Sequence, residues 1–261
     1  MFAVELTFST DLASFLRREW RGQGQTVRRT LTEKTAVKDV VEACGVPHSE
    51  VDLIVVASSE PAGESPWTVD FAWQVQAPVH LQIYGAPAPA ELLPQAPRLQ
   101  GNPPARFVAD GHLGKLARNL RLLGLDTVYE RDADDPRLLE IMVVENRVLL
   151  TRDRPLLMHG IVRHGYCPRS DESEAQTREV LRRFGLTGGN TGVSPFSRCL
   201  HCNGVLEPVD KAEVLVPLAA EPLTLRYYDD FRRCPGCQRI YWPGTHTHKL
   251  ASLVTRLLGE S

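Results

Sequence analysis

A proline-rich stretch divides the chain into parts that are expected to fold around separate cores. Residues 86–105 read APAPAELLPQAPRLQGNPPA, with six prolines in twenty positions. Proline fixes φ and lacks a backbone donor, so we expect a semi-extended linker here and not a packed element. A chain of 261 residues is also long for one domain. The sequence therefore predicts a domain at residues 1–85, a linker at 86–105 and further domains beyond it.

Residues 1–85 have the element order of an α+β domain. Alternating apolar residues at 2–8 predict a half-buried strand, and residues 27–31 can pair with it. A helix follows, with Thr35 as its expected N-cap and Gly45 at its end. Two apolar runs, VDLIVVAS and VHLQIYG, predict two more strands. Two strands, a helix and two strands form the order of a β-grasp domain.

Beyond residue 105 the pattern alternates between strand and helix, which predicts a parallel sheet with helices on its faces. Strand-like segments at 106–109, 127–129 and 147–151 are separated by two helices. Gly124 ends the first helix, and Asp135 is the expected N-cap of the second because Pro136 suits the first helical position. A short strand near 161–166 and a helix at 171–184 would complete a domain of residues 106–187.

Acidic residues follow the ends of these strands. Asp110 ends the first strand, Asp132 and Asp135 follow the second, and Asp153 follows the third in TRDRPLL. In an open parallel sheet, ligands bind beyond the carboxyl ends of the strands. Carboxylates that meet there repel one another unless a hard cation such as Mg²⁺ or Mn²⁺ compensates their charge. Such a cation can activate water for attack on a phosphate.

Each of these residues also has a purely structural interpretation, and the residues alone leave both open. Asp110 and Asp135 can cap helices, Asp153 can lie in a turn, and Asp132 can be a solvated loop acid. The same holds for two cations three positions apart on the first helix, which either contact an RNA backbone or are ordinary surface charges. These are Lys115 and Arg118.

Two CxxC pairs lie near the end of the chain, Cys199 with Cys202 and Cys234 with Cys237, separated by 31 residues. The chain begins without a signal-like segment and has no apolar run long enough for a membrane span. We therefore expect a cytoplasmic protein with no membrane association, in which thiols stay reduced. Four thiolates in two turns predict a structural zinc site and not disulfides or a redox pair. This assigns residues 188–261 to a zinc ribbon and a C-terminal segment.

Any contact with RNA must come from local clusters, because the net charge is only −2. The run IYWPGTHTHKL follows the second cysteine pair. Trp242 and its neighbour Tyr241 can stack on bases and His246 can meet a phosphate, or the aromatic residues can pack beneath the ribbon.

Two stretches resemble known ribonuclease families. DADDPRLLEIMVVENRVLLTRD resembles the second half of PIN-type ribonuclease domains, where an Asp opens a helix and a T-x-D or T-x-N motif ends the next strand. VADGHLGKLARNLRLLGLDT resembles, more narrowly, the first half of the Mut7-C RNase family, which also has a C-terminal Y-W-x-G-S/T-H run like the YWPGTH of this chain. The resemblance covers residues 106–250 and implies a PIN-like fold with metal-dependent RNA cleavage. It implies that Mg²⁺ or Mn²⁺ is held by Asp110, Asp135 and Asp153, with Asp132 as a further acid. The expected substrate contacts are Lys115, Arg118, Arg152, Trp242 and His246.

Residues 35–58 resemble the small ubiquitin-like sulfur carriers. Those carriers end in a free diglycine, whereas here Tyr84 and Gly85 continue into more chain. We therefore expect the β-grasp domain to dock a ribosome or another protein, and a sulfur-transfer partner is the weakest interpretation. The preferred function is a metal-dependent ribonuclease that hydrolyses RNA phosphodiester bonds. The alternative is a non-catalytic RNA- or ribosome-binding adaptor with a structural zinc ribbon.

Overall fold

The computed structural model of the protein describes residues 1–21, 25–57, 66–187 and 192–259, without the side chains of residues 245 and 246. The chain divides into two compact units. The first unit comprises Met1–Pro103 and Thr151–Cys167, and the second comprises Pro104–Leu150 and Pro168–Ser261. None of the helices in the described ranges combines the length and the apolar character that a membrane crossing requires.

Residues 1–103 form the predicted β-grasp arrangement. A five-stranded sheet has the order β2-β1-β7-β4-β5, in which β1 and β7 are parallel and the other pairs are antiparallel. Strands β3 and β6 form a separate antiparallel pair. The elements are β1 (Phe2–Phe8), β2 (Thr26–Leu31), β3 (Thr35–Ala36), α1 (Val37–Ala43), β4 (Val51–Ala57), β5 (Trp67–Thr68), β6 (Gln74–Val75) and β7 (Val79–Gly85).

The apolar pattern of this region translates directly into burial. Val37, Val40 and Val41 form the buried side of α1, and each fully buried valine contributes roughly 1.5–3 kcal/mol. The predicted N-cap is wrong, because Thr35 pairs in β3 and the cap position is Ala36. Gly45 does end the helix region, with φ of 100° in the left-handed range that favours glycine.

The proline-rich segment is packed, so the expectation of an unpacked linker is wrong. Both oxygens of the buried Asp52 carboxylate accept backbone hydrogen bonds at 3.0 Å, one from Ala88 and one from Gln100. Ala88 also packs against Leu53 and Val55 of β4. One buried acid on a strand thus anchors both ends of a segment whose prolines provide no donors of their own.

Residues 104–150 form the predicted parallel sheet. Its strands have the order β10-β8-β9, and both pairs are parallel. The N-cap of α3 is Asp134, whose carboxylate accepts a hydrogen bond from Arg137 N at 3.0 Å. The prediction of Asp135 as the cap is therefore wrong by one residue, and Asp135 is the first helical residue. The elements are β8 (Arg106–Ala109), α2 (Gly114–Leu122), β9 (Asp126–Tyr129), α3 (Asp135–Val144) and β10 (Val148–Leu150).

The segment Thr151–Cys167 belongs to the first unit. It contains a short helix α4 (Arg154–Leu157) and a two-residue strand β11 (Gly165–Tyr166) in place of the longer strand predicted at 161–166. The Arg154 guanidinium donates to the carbonyl oxygens of Ser14 and Phe15, both at 3.1 Å. The backbone N–H of Cys167 donates to the buried Glu50 carboxylate at 2.7 Å.

The rest of the second unit contains the ribbon and two longer helices. Strands β12, β13 and β14 form an antiparallel sheet. Helix α5 contacts α2 through a 3.1 Å hydrogen bond from Asn119 to Thr177, and α8 through an ion pair of Glu174 with Arg256. The elements are α5 (Ser173–Arg183), β12 (Glu207–Val209), α6 (Lys211–Val214), α7 (Pro222–Tyr227), β13 (Phe231–Arg233), β14 (Ile240–Tyr241) and α8 (Thr245–Leu258).

Candidate functional site

The four predicted zinc ligands come together in the second unit. All four Sγ atoms, of Cys199, Cys202, Cys234 and Cys237, lie within 4.8 Å of one another. The Cys199–Cys237 and Cys202–Cys234 sulfur pairs are 3.5 and 3.3 Å apart, well beyond the S–S bond of about 2.05 Å in a disulfide. Sulfurs around a tetrahedral zinc at about 2.3 Å would be roughly 3.8 Å apart. The donor set and its spacing therefore fit a four-coordinate zinc.

The surroundings of the sulfurs favour a bound cation. Burial alone would raise the pKa of the Cys199 thiol, but hydrogen bonds from the Tyr241 hydroxyl and the Cys202 backbone lower it to about 6. Burial raises the pKa of the other three thiols, so their thiolates need a positive charge nearby. The Tyr241 hydroxyl lies 3.1 Å from the Cys199 sulfur. The Tyr241 side chain is therefore engaged with the cysteine cluster, where its hydroxyl stabilises the Cys199 thiolate, and is not a freely exposed stacking residue.

Polar contacts hold the first cysteine turn, residues 199–203, against the parallel sheet. The Asn203 side chain accepts a hydrogen bond from Thr127 N at 3.0 Å and donates to the Asp126 carboxylate at 2.8 Å. Arg121 donates to the carbonyl oxygens of Thr127 at 2.9 Å and of His201 at 2.8 Å. These contacts link β9, α2 and the ribbon into one packed unit.

The second unit brings Asp110 next to the loop of residues 130–134 that follows β9, which we call the acidic loop. Ala109 and Tyr129 are paired at the ends of β8 and β9, so Asp110 and the residue after Tyr129 lie at neighbouring strand ends. A Cβ on Gly111 would overlap the carbonyl oxygen of Arg131, and the Tyr129 hydroxyl donates to Gly111 O at 2.9 Å. Glycine at 111 therefore allows the loop backbone to lie directly against the turn that carries Asp110.

The acidic loop carries one functional candidate that the sequence reasoning missed. Glu130 directly follows β9 at the strand end beside Asp110, and Arg137 donates to both of its oxygens at 2.9 and 3.1 Å. These hydrogen bonds hold the pKa of Glu130 below its usual value. Asp132 and Asp135 are exposed on the same loop and helix start. The sequence signal for Glu130 is its position immediately after a strand, the same signal that marks the aspartates.

Asp153 lies in the first unit. It is exposed and is the N-cap of α4, where its carboxylate accepts a hydrogen bond from Leu156 N at 3.0 Å. Its backbone N–H donates to the Thr151 hydroxyl at 2.9 Å. Capping occupies one carboxylate oxygen, which leaves the other for a further ligand. Arg152, which lies between Thr151 and Asp153 in the sequence, is exposed.

Metal-binding geometry differs between the cysteines and the acids. Across residues 1–21, 25–57, 66–187 and 192–259, the cysteine quartet is the one group of three or more His, Cys, Asp or Glu residues whose ligand atoms all lie within 4.8 Å. The acidic metal site therefore stays a prediction. Mg²⁺ needs only one or two protein carboxylates when substrate phosphates and water complete its coordination.

Comparison with known proteins assigns the chain to a family. The family model for the Mut7-C RNAse domain matches residues 105–254, which is more than half of the chain. The chain belongs to the Mut7-C RNase family. A second model, described as Mut7-C ubiquitin, matches residues 1–66. These matches confirm the family suggested by the sequence, the mixed α/β class and the ubiquitin-like character of the N-terminal sheet.

Among curated proteins, the human exonuclease mut-7 homolog is 32% identical over 138 residues. The match covers 48% of this chain and 16% of the human protein. The similarity is therefore confined to one region of a much longer protein. A comparison with solved structures finds no match.

The remaining predicted substrate contacts of the Mut7-C domain lie on α2 and after β14. Lys115 and Arg118 are exposed on α2. Arg118 and Trp242 line the same cavity of about 490 Å³. The sequence offered no sign that these two residues, 124 positions apart by their numbers, share a surface. His246 lies at the start of α8, and its side chain is outside the part of the chain that is described.

Proposed function

We propose that this Mut7-C protein is a metal-dependent ribonuclease of the PIN type that hydrolyses RNA phosphodiester bonds at an acidic site containing Asp110. The observation that carries the proposal is the packing of the Asp110–Gly111 turn against the acidic loop after β9. This turn and this loop both follow the carboxyl ends of neighbouring parallel strands, where such sheets bind ligands, so their carboxylates are proposed to share one site. Family membership supports RNA as the substrate class.

Asp110 and Asp135 are the proposed ligands of Mg²⁺ or Mn²⁺, with Asp132 and Glu130 as further acids of the same loop region. Asp153, the last member of the acidic set implied by the family resemblance, is proposed on its T-x-D motif alone. A bound divalent ion would supply an activated water and compensate the charge that develops on the phosphate. Lys115, Arg118 and Arg152 are proposed to bind phosphates of the RNA. Trp242 is proposed to stack on a base, and His246 to contact a phosphate.

The other parts of the chain have supporting roles in this proposal. Zinc at the four cysteines is structural, because four thiolates leave no coordination position for substrate. The ubiquitin-like domain is proposed to dock a protein or a ribosome. We also propose a cytoplasmic location, where reduced thiols can hold zinc.

The test is cleavage of a labelled single-stranded RNA in Mn²⁺ by the full chain and by Asp110→Asn. We expect the substitution to slow cleavage by about a hundredfold or more, because losing one charged ligand removes several kcal/mol of stabilisation at the scissile phosphate. Asp210→Asn is the matched control, since Asp210 is an exposed acid of the second unit with no side-chain capping bond. Full cleavage by Asp110→Asn would refute the role of Asp110.

A non-catalytic RNA-binding adaptor is the second candidate. It is favoured by the finding that, within the described ranges, the cysteine quartet alone has preformed metal-binding geometry. This candidate predicts that the full chain retains RNA but shows no cleavage stimulated by Mn²⁺ or Mg²⁺. The same cleavage assay therefore separates the two functions.

A further inference from the structure

The second unit contains an apolar cavity whose lining includes neither the cysteine quartet nor the acidic loop. Its volume is about 490 Å³, within the range of roughly 300–1,000 Å³ that is typical of small-molecule sites. Leu122 from α2 and Leu206 from the ribbon contribute to its apolar lining, and Tyr241 and Trp242 contribute aromatic rings. We call this space the ribbon cavity.

Trp242 is held in place by its own surroundings. Trp242 packs against the buried cluster of Val214, Leu218 and Phe231. Its carbonyl oxygen accepts hydrogen bonds from Gly244 N at 2.8 Å and from the Thr247 hydroxyl at 3.1 Å. The indole is half-buried and lines the ribbon cavity. An aromatic ring fixed in this way loses little conformational freedom when a flat ligand stacks on it.

Two arginines on the cavity lining have no partner within the described part of the chain. Arg118 and Arg232 are exposed, and neither guanidinium group forms a hydrogen bond or an ion pair there. Arg198 also lines the cavity, but it is engaged by Gly124 O at 3.1 Å, Asn203 O at 2.9 Å and the Asp126 carboxylate at 3.5 Å. Asp230 is an acid on the same lining, so the cavity combines an apolar floor with an excess of positive charge.

We propose that the ribbon cavity binds one unpaired nucleobase of single-stranded RNA, with Arg118 and Arg232 contacting the phosphates on either side of it. The proposal rests on RNA being the substrate, as proposed above. A flat apolar base fits beside Trp242, and unpartnered guanidinium groups suit phosphate oxygens. Bases in a duplex are stacked and paired, so only a base that has left the helix can enter. The ribbon cavity thus selects single strands.

The experiment measures binding of the full chain to two labelled oligomers without added divalent ions, so that cleavage does not contribute. One is a single-stranded RNA, and the other is a ribose-phosphate oligomer of equal length without bases. Trp242→Leu is expected to weaken binding of the RNA roughly tenfold to a hundredfold, the range of one base stacked on an aromatic ring. It should leave binding of the base-free oligomer unchanged. Trp242→Phe, which keeps a ring, should recover much of the loss.

The role of the arginines is tested by two variants of the ribbon that each remove one positive charge. Arg232→Gln should reduce the slope of log affinity against log salt by about 1, as expected for one phosphate contact. Arg239→Gln removes the same charge from an exposed residue that does not line the ribbon cavity, and its slope should be unchanged. Both arginines are exposed, so these variants test the proposal even if Trp242→Leu fails to fold.

Three results would overturn the proposal. The first is no binding of RNA by the unsubstituted chain. The second is equal affinity for the two oligomers, as expected if the cavity is instead filled by a segment of a protein partner. The third is an equal change of slope for Arg232→Gln and Arg239→Gln. Base-dependent binding without any Mn²⁺-stimulated cleavage would refute the proposed nuclease activity but support the role of the ribbon cavity. Cleavage by the unsubstituted chain, together with unaltered RNA binding by the cavity variants, would support the nuclease activity but refute the role of the ribbon cavity.

Discussion

Replacing Asp126 with asparagine tests whether its partly buried carboxylate holds the first cysteine turn against the parallel sheet. The Asp126 carboxylate accepts hydrogen bonds from Arg147 at 2.6 Å and from Asn203 at 2.8 Å. The Arg147 side chain is only 6% exposed, so Asp126→Asn leaves a buried guanidinium with Glu145 as its remaining acid. Losing a charge-assisted hydrogen bond and part of this compensation should cost about 2–4 kcal/mol.

The effect should also depend on pH. Burial would raise the pKa of Asp126, but the hydrogen bonds from Arg147 and Asn203 outweigh it and hold the pKa below the usual value. A carboxylate with a lowered folded-state pKa stabilises the fold above its unfolded pKa of about 3.9, and this stability is lost as the pH falls through the folded value. The difference between the wild type and Asp126→Asn should therefore be full at neutral pH and shrink in strong acid.

Hydrogen exchange of the full chain is the appropriate assay, because it reports the stability of β9 and of the first cysteine turn separately from the first unit. Peptides covering residues 126–129 and 199–203 should lose protection together in the variant. Glu130→Gln is the control, since the ion pair of Glu130 with Arg137 is largely exposed and should add little. Equal protection in Asp126→Asn and the wild type, or a difference that does not change with pH, would refute the reasoning.

Three further predictions address the zinc, the acidic loop and the first unit. Cys234→Ser should reduce bound zinc from about one equivalent per chain to a small fraction, measured by elemental analysis, because the site needs all four thiolates; retention of the full amount would rule out a four-cysteine site. Gly111→Ala should lower the cleavage rate about tenfold or more and leave the zinc content unchanged, because a Cβ at this position overlaps the Arg131 carbonyl and displaces the acidic loop. An unaltered cleavage rate would mean that this contact does not position the acids. Arg154→Ala removes two hydrogen bonds to the carbonyl oxygens of residues 14 and 15. It should speed amide exchange at residues 151–157 to an extent that corresponds to a loss of about 1–3 kcal/mol in local stability. Unchanged exchange rates would show that these hydrogen bonds are dispensable.

The sequence by itself determined the local features of the protein. Alternating and helical apolar patterns specified β1, α1, β8 and α2 because burial follows the periodicity of each element. Two CxxC pairs specified the cysteine cluster because each turn brings two sulfurs to the same side. Helix caps were less well predicted, since Asp134 and Asp135 compete for one position and only the backbone geometry selects between them.

Only the tertiary structure decided which distant segments share a surface. A single buried acid, Asp52, anchors the proline-rich segment, and Arg154 helps to place the Thr151–Cys167 segment with the first unit. Arg118 and Trp242 both line the ribbon cavity, although the sequence around either residue gives no sign that the other is nearby. The physical reason is that these contacts depend on how elements pack and on which buried polar groups need partners, and neither property has a period along the chain.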